Sequence, residues 1–378
     1  MDLSDIRKKI DDIDQKLLPL FLERMQVSAE VAAYKKANNL PVLNKQRERD
    51  ILKWVRAESG DMELYADRLY NTIFELSRAY QDELLEEVSP LMQEIEAGLR
   101  YHDEPFPTSG RIACQGVEGA YGQMAADKMF PRGDLTFMRT FEGVFDAVGS
   151  GLCDFGVLPV ENSSNGSVRM TYDLLRTKNV KIIRSERLCI RHQLLAKPGT
   201  KLSDITEIHS HEQALGQCSR FIKSLGTAVK AVPCLNTAIA AEYVASSSGN
   251  IACIASAGAG ELNGLVPIAD SIQDSDNNYT RFICIARDTR IYAGADRISL
   301  ILTCRHKPGA LYEILAKLAA VGINLIKLES CPLAGSDFEF VFFFDLQASV
   351  MDQRTIAVLQ SIERSCESFI FLGNYREA

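Results

Sequence analysis

Arginine 24 stands where an apolar residue is due. From Leu3 to Tyr34 apolar side chains recur at Leu3, Ile6, Ile10, Ile13, Leu17, Leu20, Val27, Val31 and Tyr34, a 3-4 spacing with one omission, and the omitted position holds Arg24. A guanidinium cannot be deprotonated, and facing a helical core unpaired it would cost on the order of several kcal/mol, so an anion must meet it. Lys35 follows three turns on, within roughly 20° of the same face and roughly 16 Å along the axis. Two cations therefore look toward one space. Arg7 is roughly 25 Å the other way and about 100° around the helix. To serve the same pocket it must come from a second chain. Asn44, Arg47 and Glu48 cluster near the start of a second helix, and Ser77 and Gln81 form an i,i+4 pair on a third. Taken singly, Arg47, Glu48, Ser77 and Gln81 read as surface polar residues. A seam-facing Arg24 does not.

A different chemistry is written in the middle of the chain. Three polar stretches, Pro159–Val168, His209–Cys218 and Asn278–Phe282, each follow an apolar run that reads as a strand, which is where α/β sheets place ligands. Their hydroxyls, amides and helix N-termini suit carboxylates. Each alone is as easily a helix cap. Ser256-Ala257-Gly258-Ala259-Gly260 suggests a dinucleotide loop, but position 263 is Asn and the glycine pattern is incomplete. The ten cysteines are scattered singly with no C-x-x-C, which reads as reduced core thiols. His209 and His211 lack a third ligand nearby and read as strand-end residues, so no metal is expected.

The elements that must position these residues show three successive periods. Helical spacing covers Leu3–Tyr34, Lys45 to about Ala57, and Met62 to about Glu96, an all-helical module over residues 1–97, with Pro19 expected to kink the first helix. Residues 98–110 carry two prolines and read as a linker. Residues 111–286 alternate apolar strand-like runs with helical patterns, predicting α/β organisation with largely parallel sheets in two lobes that divide near residues 184–195. From Arg297 to Tyr375 the order is βαββαβ, the ferredoxin-like α+β arrangement. The fold class is thus multidomain. A net charge of -8 argues against nucleic acid or anionic membrane as partner, and the charged N-terminus and absence of a long apolar run predict a cytoplasmic protein.

At this point the residues resemble known families. I-R-K-K-I-D-x-I-D, L-E-R-M, Lys35 and P-V-x-N-x-x-R-E-R are similar to the all-helical chorismate mutases over residues 1–97. The resemblance implies that Arg7, Arg24, Lys35, Arg47, Glu48, Ser77 and Gln81 match active-site positions, with Arg7 given by a partner subunit. Asn44 stands where familiar relatives carry aspartate. Chorismate rearrangement is unimolecular and needs no nucleophile or cofactor, so restraint and electrostatic support suffice. The arginines would hold the carboxylates, Lys35 and Gln81 would face the breaking ether oxygen, and Glu48 would meet the ring hydroxyl.

Residues 111–286 strongly resemble prephenate dehydratase, with a two-lobed fold like that of periplasmic binding proteins. By motif, Asn162 (E-N-S), Ser210 and Gln217 (S-H-x-Q-x-x-x-Q-C) and Thr280 (T-R-F) are the catalytic candidates. Glu161, Ser163, Arg281 and Phe282 are further substrate-binding candidates. Prephenate loses hydroxide and CO₂ together while its ring aromatises, so a hydroxyl donor such as Thr280 fits the need, with Glu161 as the other proton source. Arg281 has two readings, a carboxylate partner or a structural ion pair. Ala120 and Gly122 replace the small hydroxyl residues usual in relatives.

His306-Lys307-Pro308-Gly309-Ala310-Leu311, Gly322-Ile323-Asn324-Leu325 and Glu329-Ser330-Cys331-Pro332 resemble the ACT domain of dehydratases over residues 297–375. There, phenylalanine binds at a domain-pair interface. The resemblance makes Gly309, Ala310, Leu311, Asn324, Leu325, Glu329 and Ser330 effector candidates, with Cys331 where relatives commonly have arginine. The expected partners are chorismate, prephenate, phenylalanine and further copies of the chain, as dimer or tetramer. Two alternatives stand beside this reading, an arogenate-using dehydratase and an amino-acid-sensing binding protein; the second leaves Arg24 unexplained.

Overall fold

The computed structural model describes residues 2–38, 40–85, 89–304, 308–332 and 340–378. His306 and Lys307, and the start of the strand expected from Phe338, lie outside the described residues. Packing divides the chain into two units, Met1–Pro90 and Leu91–Ala378.

The first unit consists of α1 (Leu3–Ala37), α2 (Lys45–Ser59) and α3 (Glu63–Leu85), with α1 and α2 both packed on α3. Asn44 caps α2, its Oδ1 accepting from the Arg47 amide at 3.0 Å, which satisfies one of the donors a helix start leaves free. Helix α1 is continuous through Pro19. Its face toward α3 is built around buried Ser28 and Ala32, small residues that let helices approach closely, flanked by half-buried Phe21, Arg24, Met25 and Lys35. The apolar seam expected from the sequence is not this face. Ile10, Ile13 and Leu17 are 52%, 60% and 54% exposed, and Val27 and Tyr34 are exposed too, because α3 packs on the Ser28 and Ala32 face instead.

The second unit opens with α4 (Pro90–Leu99), and here the sequence reading needs correction. The helix expected to run from Met62 to Glu96 is two helices: α3 ends at Leu85 and Pro90 starts α4, as proline suits a first helical turn but not an interior. Leu91 and Ile95 of α4 pack with Ile298, Leu300, Ile314 and Leu359 in the C-terminal core, so residues 91–97 belong to the second unit, not to the helical module. The expected linker is packed as well, with Tyr101 and Phe106 against the core around Phe130, Phe155 and Tyr292.

After α4 come β1 (Ser109–Gln115), α5 (Tyr121–Met129), β2 (Arg132–Met138), α6 (Phe141–Gly149), β3 (Phe155–Asn162), β4 (Gly166–Ser167), α7 (Arg169–Thr177) and β5 (Lys181–Cys189). The chain then crosses to a second lobe: β6 (Gln193–Ala196), β7 (Glu207–His211), α8 (Glu212–Gln217), α9 (Ser219–Ser224), β8 (Lys230–Cys234), α10 (Thr237–Ser246), β9 (Ile251–Ala255), α11 (Ala257–Leu262) and β10 (Val266–Ala269). It returns as β11 (Tyr279–Ala286). The second lobe is a five-stranded sheet in the order β10-β6-β9-β7-β8. The two lobes fall where expected. Their sheets are mixed rather than largely parallel, since β11 re-enters the first lobe antiparallel to both β3 and β5, and β6 runs antiparallel to both β9 and β10. A strand that must leave one lobe and return to it reverses direction.

The chain ends with β12 (Arg297–Thr303), α12 (Ala310–Ala320), β13 (Asn324–Pro332), β14 (Phe340–Gln347), α13 (Gln353–Ser365) and β15 (Ser368–Glu377), the expected βαββαβ order. Its sheet runs β13-β14-β12-β15, and β15 continues into the first lobe by pairing in parallel with β5. Gly373 makes this junction possible: at φ 147°, a Cβ there would lie 2.1 Å from the Ile182 carbonyl oxygen. One face of the C-terminal sheet is covered by α4, α12 and α13, the other by the first lobe through Tyr172 on Phe343. Truncating Ile95, which is fully buried, to Ala should therefore destabilise the second unit by about 2–5 kcal/mol. Denaturant unfolding would show a lowered circular-dichroism transition, with the Trp54 fluorescence transition of the first unit unmoved.

Candidate active sites

In the first unit the i,i+4 spacing of Ser77 and Gln81 on α3 turns both toward α1. Arg24 Nη1 donates to Ser77 Oγ, and Lys35 Nζ donates to Gln81 Oε1 at 3.0 Å and to the Val42 carbonyl at 2.5 Å. Gln81 Nε2 donates back to the Ser77 carbonyl at 3.1 Å. Arg24 also lies over the Phe74 ring, 5.7 Å from its centroid. Burial lowers the pKa of Arg24, with Tyr70 acting the other way. Arg24 on the Ser77 hydroxyl and Lys35 on the Gln81 amide set two cations along the α3 face of α1, where an anion can be received. Glu48 is engaged with Arg78, Arg47 is exposed beside the cap at Asn44, and Arg7 is exposed on the first turns of α1. Four of the expected residues thus gather within the unit; Arg7, Arg47 and Glu48 do not join them.

In the second unit a cavity of about 360 Å³ opens between the lobes, walled by Gln115, Asn162, His192, Gln217, Thr280 and Phe282 among others. Gln115 and Asn162 end β1 and β3, Thr280 and Phe282 lie on β11, Gln217 ends α8, and His192 lies between β5 and β6. Asn162 Nδ2 donates to Thr280 Oγ1 at 2.9 Å and to Asn278 Oδ1 at 2.9 Å, while its Oδ1 accepts from the amides of Ser164 and Asn165, both at 3.0 Å. Gln217 Oε1 lies 3.0 Å from Asn278 Nδ2 and 2.9 Å from His192 Nε2. Tyr121 completes the row, its hydroxyl 3.1 Å from His192 Nδ1 and 2.6 Å from the Arg191 carbonyl oxygen, two acceptors within reach of its one proton. His192 is 2% exposed, and burial lowers its pKa while Gln217 opposes the shift. Among the described residues, no lysine or arginine lines this cavity. Any anion in it must be met by neutral N–H and O–H donors and by the N-terminus of α10, at Asn236 and Thr237.

The other candidates of this unit point elsewhere. Ser210 is fully buried and donates to the Ile254 carbonyl at 2.6 Å; Ser163 ties the Asn277 carbonyl and the Tyr279 amide. Glu161 alternates with Asn162 to the far side of β3, where it meets Lys327 at 3.0 Å and Arg281 at 3.5 Å, so it is not placed to give a proton in the cavity. Arg281 is 8% exposed and bound to Asp345 at 2.5 Å, and it is not among the residues lining the cavity. That pair holds its pKa well above the ordinary value although burial pulls it down. Tyr121, His192 and Asn278 were not singled out in the sequence. Asn278 and Tyr121 stood within stretches already noted, whereas His192, between two strands, carried no signal.

In the C-terminal unit, Gly309 has φ 85° at the start of α12, which continues with Ala310 and Leu311. Asn324 donates to Gln347 at 3.2 Å, Leu325 joins the core, Glu329 accepts from Ser167, and Ser330 is exposed. The register places Thr303, Val341 and Cys331 at one end of the sheet and Arg297, Gln347 and Asn324 at the other.

Family models match in two places: chorismate mutase type II over residues 6–82 and prephenate dehydratase over residues 112–290. A bifunctional chorismate mutase/prephenate dehydratase of Stutzerimonas stutzeri is 33% identical over 100% of this chain and 98% of its own. Arogenate dehydratase/prephenate dehydratase 2 of Arabidopsis thaliana is 37% identical over 70% of this chain and 72% of its own. The crystal structure of a prephenate dehydratase from Arthrobacter aurescens in complex with L-Phe, 28% identical, superposes with a TM-score of 0.65 over 70% of this chain and 89% of that one. With both modules present in one chain, in the same order and over nearly the whole length of the Stutzerimonas protein, this protein belongs to the bifunctional chorismate mutase/prephenate dehydratase family.

Proposed function

We propose that this chain catalyses two consecutive steps of phenylalanine biosynthesis in the cytoplasm, chorismate to prephenate and prephenate to phenylpyruvate, without metal or cofactor. The observation that carries the reading is the pairing, in one chain, of the Arg24–Ser77/Lys35–Gln81 cluster with an interlobe cavity edged by Thr280. In the first step Arg24, beside Ser77, holds one carboxylate, and Lys35 and Gln81 stabilise charge on the breaking ether oxygen. In the second, the C–O bond to the ring hydroxyl and the C–C bond to the carboxylate break together. The electrons of the carboxylate bond aromatise the ring, and the hydroxide leaves with a hydrogen bond from Thr280. The name of the Arabidopsis relative includes arogenate as well as prephenate dehydratase, so turnover of both substrates should be compared directly.

The exposed stripe of α1 supports a second chain in the mutase unit. A row of apolar residues left open over the N-terminal half of a 35-residue helix is an unusual surface for a monomer, and a partner laid along it would also bring Arg7 to a pocket that Arg7 cannot reach within one helix. The C-terminal unit reads as an ACT domain over residues 297–375. Gly309, at the Thr303 end of its sheet, and Asn324, at the other, would serve one phenylalanine when two such units pair antiparallel.

Arg24→Ala should abolish mutase activity and leave the dehydratase intact, and Thr280→Ala should do the reverse; loss of both in one folded variant contradicts separate sites. Mixing inactive Arg7→Ala and Arg24→Ala chains should restore part of the mutase rate, because some shared sites then receive both arginines. Verified heterodimers without recovery exclude sharing. Phenylalanine should bind the full-length protein and slow the dehydratase by favouring a less active arrangement. An active enzyme that neither binds nor responds at millimolar phenylalanine, by calorimetry and initial rates, overturns the regulatory reading.

A further inference from the structure

The amides around the dehydratase cavity form a chain whose polarity is set at one end by the backbone. Asn162 Oδ1 accepts from two main-chain N–H groups, those of Ser164 and Asn165, which can only donate. The other end of the Asn162 amide is therefore nitrogen, donating to Thr280 Oγ1 and Asn278 Oδ1 at 2.9 Å each, with the Tyr279 carbonyl oxygen farther off at 3.3 Å. Asn278 must then present oxygen to Asn162 and nitrogen to Gln217. Gln217 in turn must present oxygen, and His192 at 2.9 Å must carry its proton on Nε2. No link can be reversed without placing two donors or two acceptors face to face.

We propose that His192 and Asn278 are positioning residues for the dehydratase step, which act by holding the Gln217 carbonyl oxygen so that its amide nitrogen donates into the cavity. Gln217 Nε2 has no protein acceptor among the described residues, and Gln217 lines the cavity. Thr280 Oγ1 accepts from Asn162, so its own proton is likewise available to the cleft. The backbone at residues 164–165 thereby arms two donors at a wall without lysine or arginine. This matters because the reaction puts negative charge there, on substrate carboxylate and on departing hydroxide, and a glutamine turned by 180° would meet that charge with a carbonyl oxygen. A preorganised donor of this kind is worth on the order of 10²-fold in kcat.

The inference rests on the prephenate dehydratase reading, and the test separates the two. Prephenate turnover is measured for the wild-type full chain, Asn278→Asp, His192→Leu and His192→Gln, with thermal midpoints for each. Asn278→Asp is nearly isosteric and still accepts from Asn162, but sets a carboxylate oxygen against Gln217 Oε1 and so favours the flipped amide. It should lower kcat on the order of 10²-fold at an unchanged midpoint. His192→Leu should lose kcat similarly, while His192→Gln, which can place a donor near the Nε2 position, should recover most of the loss. Wild-type turnover together with an Asn278→Asp kcat within twofold of it overturns the inference, as does equal loss in folded His192→Leu and His192→Gln. Failure of the wild type itself to turn over prephenate overturns the reading beneath it. If His192→Leu does not fold, Asn278→Asp alone decides.

Discussion

A buried guanidinium dictates much of the second unit. Arg281 follows Thr280 on β11, and because successive side chains of a strand point to opposite faces, the residue at the cavity and the residue beneath it are held by one backbone. Arg281 cannot shed its charge, so it needs an anion, and Asp345 of β14 provides one at 2.5 Å. Asp345 is fixed by the Ser299 hydroxyl, which in turn contacts the Tyr375 hydroxyl at 2.7 Å. Glu161 and Glu377 lie farther out, at 3.5 and 3.9 Å. Removing the Asp345 carboxylate would leave the buried guanidinium only these longer contacts, a loss approaching the roughly 3–5 kcal/mol of a broken buried pair. The C-terminal sheet is thus wired to the strand that carries Thr280, and the β15–β5 pairing through Gly373 makes the junction continuous.

The two sites solve different electrostatic problems. In the helical unit the charge is formal: Arg24 and Lys35 are cations held by Ser77 and Gln81 of α3. In the interlobe cavity the described lining has no lysine or arginine, and the burden falls on oriented dipoles: Thr280, Gln217, Asn236 and a helix start. Dipoles of this kind serve only if their direction is fixed beforehand, since a freely turning amide offers oxygen as readily as nitrogen. That is why so many cavity residues bond to one another and why the series begins at backbone N–H groups.

Much of this was legible in the sequence because periodicity survives in it. The change from helical spacing to apolar strand runs and then to βαββαβ marks the three modules, and Arg24 was conspicuous as a charge within an apolar stripe. The boundary at residue 97 was misplaced because α4 keeps the helical period of α3 while packing on a different core, and period does not name the partner. The stripe of α1 was read as buried for the same reason. Arg281 could not be assigned because Asp345 lies 64 residues away. Glu161 and Asn162 were taken together from one motif, although alternation in a strand that reaches Asn162 sends them to opposite faces. His192 gave no signal: a lone histidine between strands gains meaning only when Gln217 and Tyr121 are brought to it.

The most direct measurement is a crystal structure of the full chain with a ring-reduced prephenate analogue that keeps the 4-hydroxyl but cannot aromatise. The account predicts the analogue in the interlobe cavity, its hydroxyl oxygen about 2.6–3.2 Å from Thr280 Oγ1, with Arg281 still on Asp345. An analogue bound away from β11, or an Arg281 swung out to take a substrate carboxylate, would contradict it.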